Sequence, residues 1–238
     1  MAFDMYEFDR DYASGSKRDS SLSRFAAGTF LWMFLGLALT FAVALYGYTS
    51  GMVLRVFSIP FGHILLLVAE LVVVFYLSAR INKISVPTAR VLFFVYSALN
   101  GVVFSAYFLL FEISSMILVF GAAALYFAAV AAYGWVTKSD LCRLRPILFG
   151  GLVVLLVFAV LSLFLPLGGF DRIACLIGIA IFMGLTAYDV QKIKHFYLAY
   201  QDDKSMLQRV SIYAALQLYL DFINLFVYLL RLMGKRRN

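Results

Sequence analysis

A chain of 238 residues that is 64% hydrophobic and only 14% charged, with a mean hydropathy of +0.93, lacks the polar surface of a water-soluble globule, in which charged residues make up roughly a quarter. Most soluble enzymes, disulfide-rich secreted domains and disordered chains are excluded, and the composition is that of a multispanning membrane protein. The net charge of +7 comes from basic groups flanking apolar runs, a pattern of membrane orientation rather than of a surface that tracks nucleic acid.

Residues 1–24 hold Asp4, Glu7, Asp9, Asp11 and Asp19 beside Arg10, Lys17, Arg18 and Arg24, interspersed with serines. This stretch reads as a flexible cytoplasmic tail. The apolar run after it is longer than a signal-peptide core and has no small-residue cleavage site, so it is read as a retained anchor. About 20 apolar residues cross a bilayer core, and seven such runs follow, near 25–48, 59–79, 91–111, 115–137, 146–167, 173–191 and 210–230. They are continuous rather than alternating, which predicts helices and not a β-barrel. The expected organisation is an all-α integral membrane protein, with a seven-helix transmembrane domain over 25–233 and a basic tail over 234–238.

On the side of the N-terminus lie Arg10, Lys17, Arg18 and Arg24, then Arg80, Lys83 and Arg90, then Lys138, Arg143 and Arg145, then Lys192, Lys194, Lys204 and Arg209. The opposite loops hold Arg55 and Arg172. The positive-inside rule therefore places the N-terminus in the cytoplasm. Odd parity then puts the C-terminus outside, although Arg231, Lys235, Arg236 and Arg237 would favour the cytoplasm. Two topologies meet these facts: seven crossings with the last held by its neighbours, which is preferred, or six and a re-entrant segment. Cys142 and Cys175 fall at opposite membrane faces and cannot pair.

Charges at membrane depth cost at least a few kcal/mol, so each is a functional-site hypothesis. Glu70 sits midway in the second span, Asp189 late in the sixth and Asp221 alone in the seventh. The sixth and seventh spans join through the turn-like Gln201-Asp202-Asp203-Lys204-Ser205. In a hairpin about that turn each aspartate lies about 16 residues, roughly 24 Å, from it, so the two face each other at one depth. Gln217, Asp221 and Asn224 share one helical face at i, i+4, i+7, as Thr186 and Asp189 do at i, i+3. Such stripes pack inward or line water; Gln217 and Asn224 read either as interhelical glue or as part of a polar path.

Two carboxylates held close in a low-dielectric site resist joint ionisation and can share one proton. Shared, the proton ties two helices together; without it the acids repel and present hard oxygen ligands to a cation such as Ca²⁺. Arg80, at the cytoplasmic end of the second span, is a candidate latch that can snorkel toward an acid, and it is equally an ordinary positive-inside flank. Glu70 either extends the acidic path or is protonated and hydrogen-bonded within the bundle. His63 is expected to be a structural hydrogen-bonder.

Membrane enzymes of the common kinds find no support. The sixth span has no histidine to serve a serine nucleophile, no His-Glu-x-x-His helix offers zinc, and the seventh span has no lysine for a retinal Schiff base. No enzyme activity and no cofactor are expected.

The segments Thr186-Ala187-Tyr188-Asp189-Val190-Gln191-Lys192-Ile193-Lys194 and Leu218-Tyr219-Leu220-Asp221-Phe222-Ile223-Asn224-Leu225-Phe226, with Leu229-Leu230-Arg231, resemble the paired C-terminal motifs of the Bax inhibitor-1 family. Tyr96-Ser97-Ala98-Leu99-Asn100-Gly101 and Tyr133-Gly134-Trp135-Val136-Thr137-Lys138-Ser139-Asp140-Leu141 are similar to its bacterial inner-membrane branch. The resemblance implies six helices around a central seventh, and a pH-sensitive Ca²⁺ leak governed by a diaspartyl pair that maps onto Asp189 and Asp221. The family's basic latch maps onto Arg80, which stands as one Arg in Ser78-Ala79-Arg80-Ile81-Asn82-Lys83. The implied partners are the lipid bilayer, Ca²⁺ as permeant ion held transiently by Asp189 and Asp221, and, as an alternative function, a membrane-anchored protease bound by a non-conducting regulator.

Overall fold

The structure, a computed structural model, describes residues 5–162, 165 and 168–237, with side chains from Ser20 onward. Asp4 and the end of the span expected to reach 167 lie outside the described residues. Eight α-helices run α1 (Met5–Thr49), α2 (Met52–Ser58), α3 (Gly62–Arg80), α4 (Val86–Leu110), α5 (Ile113–Val136), α6 (Arg145–Leu161), α7 (Asp171–Tyr200) and α8 (Lys204–Met233). Seven of the helical segments are long and apolar enough to cross a membrane, α2 being the short exception. The helix α1 is continuous through the stretch read from sequence as a tail.

Local chemistry sets the boundaries. Ser85 accepts a hydrogen bond from the Thr88 amide and Pro87 stands in the first turn of α4, the pairing of side-chain cap and pre-set φ that starts a helix. Asp203 caps α8 in the same way by accepting from the Met206 amide at 2.9 Å. Gly51, at φ 69°, makes the tight exit from α1 that a side chain would strain.

The centre of the bundle is α8. Leu216, Leu218, Tyr219, Leu225 and Leu230 on it are almost wholly inaccessible, and it packs against α1, α4, α5 and α7. The outer helices α3 and α6 rest chiefly on α4 and α7 and turn residues such as Phe75 and Leu156 outward, as lipid contact requires. The central helix thus has four principal neighbours, with two helices outside them, rather than an even ring of six. The reason lies in α1 and α4: a Cβ on Gly101 would fall 2.6 Å from Val43 Cβ and 2.8 Å from Thr40 O, so these helices pack backbone to backbone beside α8. Close approach of this kind is how helices associate when lipid removes the hydrophobic drive.

The C-terminal segment bears on the choice between the two topologies. α8 runs unbroken to Met233, and the residues after it lie against the α4–α5 turn and the end of α1. Arg236 forms an antiparallel bridge with Phe111, and Arg237 donates to the Tyr48 hydroxyl at 2.7 Å. The last helix is thus unbroken and long and apolar enough to cross a membrane, which favours seven crossings over six and a re-entrant segment.

Candidate functional site

Asp189 on α7 and Asp221 on α8 are both buried, with relative exposures of 8% and 4%, and the charge of Asp189 bears on Asp221 across the α7–α8 contact. Asp189 Oδ1 and Asp221 Oδ2 are buried with no hydrogen-bond partner among the described residues. Buried carboxylate oxygens that are left unbonded are costly and call for an explanation.

The base beside them is Lys192, not Arg80. Lys192 Nζ lies 3.7 Å from Asp189 Oδ1 and donates to Gln217 Oε1 across the helix pair at 3.1 Å. Its ammonium also sits 5.6, 5.1 and 5.5 Å from the ring centres of Tyr188, Phe196 and Tyr213, within cation–π range. Arg80 ends α3 exposed, and among the described residues it forms no ion pair. Sequence reasoning counted Lys192 among the flanking positive charges. Its place three residues after Asp189, with aromatics at 188 and 196, was the available signal, because i, i+3 and i, i+4 neighbours share a helical face.

The motif around Asp189 also fastens α7 to its surroundings. Gln191 Oε1 accepts from the Leu141 amide at 3.0 Å and its Nε2 donates to Ser139 O at 2.8 Å, so one side chain holds the α5–α6 connection. Lys194 donates to the Trp135 carbonyl and covers its ring. Thr186 donates to Phe182 O at 2.8 Å, a bond inside its own helix. A Cβ on Gly134 would lie 2.5 Å from Ala187 O, so α5 meets α7 at contact distance two residues from Asp189.

The remaining polar candidates separate. Gln217 belongs to the site through Lys192, whereas Asn224 bonds Leu220 O on its own helix at 2.8 Å. Glu70 Oε1 is buried without a partner among the described residues, but the groups its charge reaches are Tyr96, Tyr107 and Tyr219. It belongs to a second polar region on α1, α3, α4 and α8. There Thr40 meets the Tyr219 hydroxyl at 2.7 Å and donates to Ser97 O at 2.8 Å. His63 is exposed at the start of α3 and makes no hydrogen bond among the described residues, because its helix turns that face away from the bundle. Cys142 and Cys175 are free, one exposed and one buried.

No group of three or more His, Cys, Asp or Glu side chains suited to a resident metal is present among the described residues. Two carboxylates and the Gln217 carbonyl are hard oxygen ligands, fewer than the six to eight that Ca²⁺ takes.

A family model described as inhibitor of apoptosis-promoting Bax1 matches residues 22–238. The chain is 38% identical over 225 residues to the inner membrane protein YbhL of Escherichia coli strain K12, covering 92% of this chain and 94% of that one. It is 36% identical over 218 residues to an uncharacterized protein of Borreliella burgdorferi, covering 91% and 94%. To an uncharacterized protein of Rickettsia prowazekii it is 34% identical over 239 residues, covering 98% and 100%.

Proposed function

For this chain, which belongs to the Bax inhibitor-1 family, we propose passive movement of Ca²⁺ down its gradient, through a path closed where α7 meets α8 and governed by a proton shared between Asp189 and Asp221. The observation that carries the reading is a pair of buried carboxylates on adjacent helices, the charge of one bearing on the other, each with a buried oxygen that has no hydrogen-bond partner among the described residues. Conduction fits the setting, since ionisable side chains inside a span mark ion pathways and proton relays. The membrane is the bacterial inner membrane, with the N-terminus cytoplasmic; the basic flanks and the similarity to the inner membrane protein YbhL support this placement.

The sign of the pH dependence follows from the proton. At low pH the pair holds it and joins α7 to α8 through a hydrogen bond. As pH rises through the titration of the pair the proton leaves, the carboxylates repel, and the contact loosens while two anionic ligands become available to the cation. Flux therefore rises with pH.

Ca²⁺ entry into dye-loaded proteoliposomes across a pH series is the test, with the wild type beside Asp189→Asn and Asp221→Asn. PH-dependent flux in the wild type, lost with either substitution, is the expected result. Flux no greater than that of empty liposomes at every pH, from folded protein, would overturn the leak and favour a non-conducting regulator that binds a membrane protease.

A further inference from the structure

The acid pair does not stand alone, and the charge that compensates it belongs to the same helix. Lys192 is one turn from Asp189, and its ammonium lies between α7 and α8, against Asp189 on one and Gln217 and Tyr213 on the other. Only 24% of its side chain is exposed. It holds two oxygens, Asp189 Oδ1 at 3.7 Å and Gln217 Oε1 at 3.1 Å. Gln217 is one turn from Asp221 on the same face of α8, and the charge of Asp221 also bears on Lys192. Arg145, at the start of α6, is the like charge that faces it.

We propose that Lys192 is a tethered counter-cation of the acid pair, which competes with the permeant divalent ion and sets the Ca²⁺ concentration at which the site fills. This rests on the reading of Asp189 and Asp221 as the cation site. Two features on the page support competition over a merely structural ion pair. The oxygens Lys192 engages are among the few that the site offers to Ca²⁺, which needs six to eight, so an ammonium and a divalent ion cannot hold them together. Moreover, a lysine is a point charge on a flexible four-carbon stem. The rings of Phe196 and Tyr213, 5.1 and 5.5 Å from Nζ, line a course along which that stem can withdraw its head toward the membrane face. The ammonium is thus built to leave the acids without leaving the protein.

The mechanism assigns Lys192 a role different from a latch between distant helices. It fixes the threshold of occupancy, and the proton on the acid pair fixes the opening. A neutral side chain at 192 would leave the pair uncompensated and make it fill at lower Ca²⁺.

Ca²⁺ binding to the full-length protein in detergent, measured by titration calorimetry at one fixed pH, tests this, with proteoliposome flux recorded on the same preparations. Lys192→Gln and Lys192→Met are each expected to tighten Ca²⁺ binding by about tenfold, the change from removing roughly 1.4 kcal/mol of competition. Lys192→Arg, which keeps the charge, is expected to stay within about twofold of the wild type. In an Asp189→Asn background the Lys192→Gln substitution is expected to have a smaller effect, since Asp221 and Gln217 remain beside Lys192. Equal affinity of folded Lys192→Gln, Lys192→Met and wild-type protein would overturn the proposal, as would a tightening undiminished when Asp189 is neutral. If binding follows the expected order while every preparation fails to conduct, the leak reading falls and the competition stands.

Discussion

The hydroxyl of Thr40 shows how single residues hold the centre of this bundle. It lies 3.0 Å from Gly36 O, 2.8 Å from Ser97 O and 2.7 Å from the Tyr219 oxygen. One hydroxyl has one proton, which the two carbonyls share, so Tyr219 donates and Thr40 accepts. Tyr219→Phe is expected to leave that acceptor unpaired and cost about 1 kcal/mol, read as a lowered thermal-unfolding midpoint in detergent. Because this node lies apart from the acid pair, the pH midpoint of Ca²⁺ flux is expected to remain that of the wild type. A shifted pH midpoint would show that the two polar regions are coupled. At this scale the aspartates were legible because an acid stands out in an apolar span. Lys192 was not, because a base near a span end is what membrane orientation already predicts, and only its three-dimensional neighbours reveal that it points inward. Thr40, Ser97 and Tyr219 were illegible for a related reason: hydroxyls on apolar helices can always bond their own backbone, and sequence does not show which reach another helix.

Helices here are placed by how near their backbones come. On α5, Gly134 and Gly121 are the same residue type in different surroundings: a Cβ on Gly134 would fall 2.5 Å from Ala187 O and 2.9 Å from Ala187 Cα, whereas one on Gly121 would meet nothing within 4 Å. Gly134→Ala must therefore push α5 from α7 beside Asp189, at a cost of about 1–3 kcal/mol typical of overpacking, while Gly121→Ala is expected to be neutral or slightly stabilising through helix propensity. Thermal unfolding of the two variants checks the difference, and equal midpoints would mean that the α5–α7 approach carries no strain. The spans themselves were legible from hydropathy because lipid demands about 20 apolar residues, but their ends were not. α4 begins at Val86 rather than near 91, where Ser85 and Pro87 supply the cap. α8 begins at Lys204 rather than near 210, since charged helical turns continue beyond the apolar stretch. The seven-residue α2 is too short to appear in any window sized for a membrane.

Across the whole molecule, the basic C-terminal segment lies at the end of the bundle where α1 and α4 finish, and the fold holds it there with local partners. Arg231 pairs with Asp171 at 3.4 Å and Lys235 with Glu112 at 2.8 Å. The Glu112 amide donates to Lys235 O at 3.0 Å and the Arg237 amide to Leu110 O at 2.9 Å. This closing strap joins the central helix to α4, α5 and α1, which sequence could not show because its partners are 60 or more residues away. Parity makes the topology testable: in sealed vesicles, a cysteine introduced as Lys235→Cys and the native, exposed Cys142 are expected to react with an impermeant maleimide from opposite sides, and labelling from one side would refute seven crossings. The ranking of contacts within the strap follows from exposure. Lys235 and Glu112 side chains are 72% and 35% exposed, so their ion pair is screened and worth about 0–1 kcal/mol. The backbone hydrogen bonds beside it tie two segments whatever the salt. Lys235→Ala is therefore expected to lower the unfolding midpoint slightly, and less so in high salt, while deletion of residues 234–238 is expected to lower it further by an amount that salt does not remove. Equal losses from the two changes would place the whole strength of the strap in the ion pair, leaving the antiparallel bridge without energetic weight.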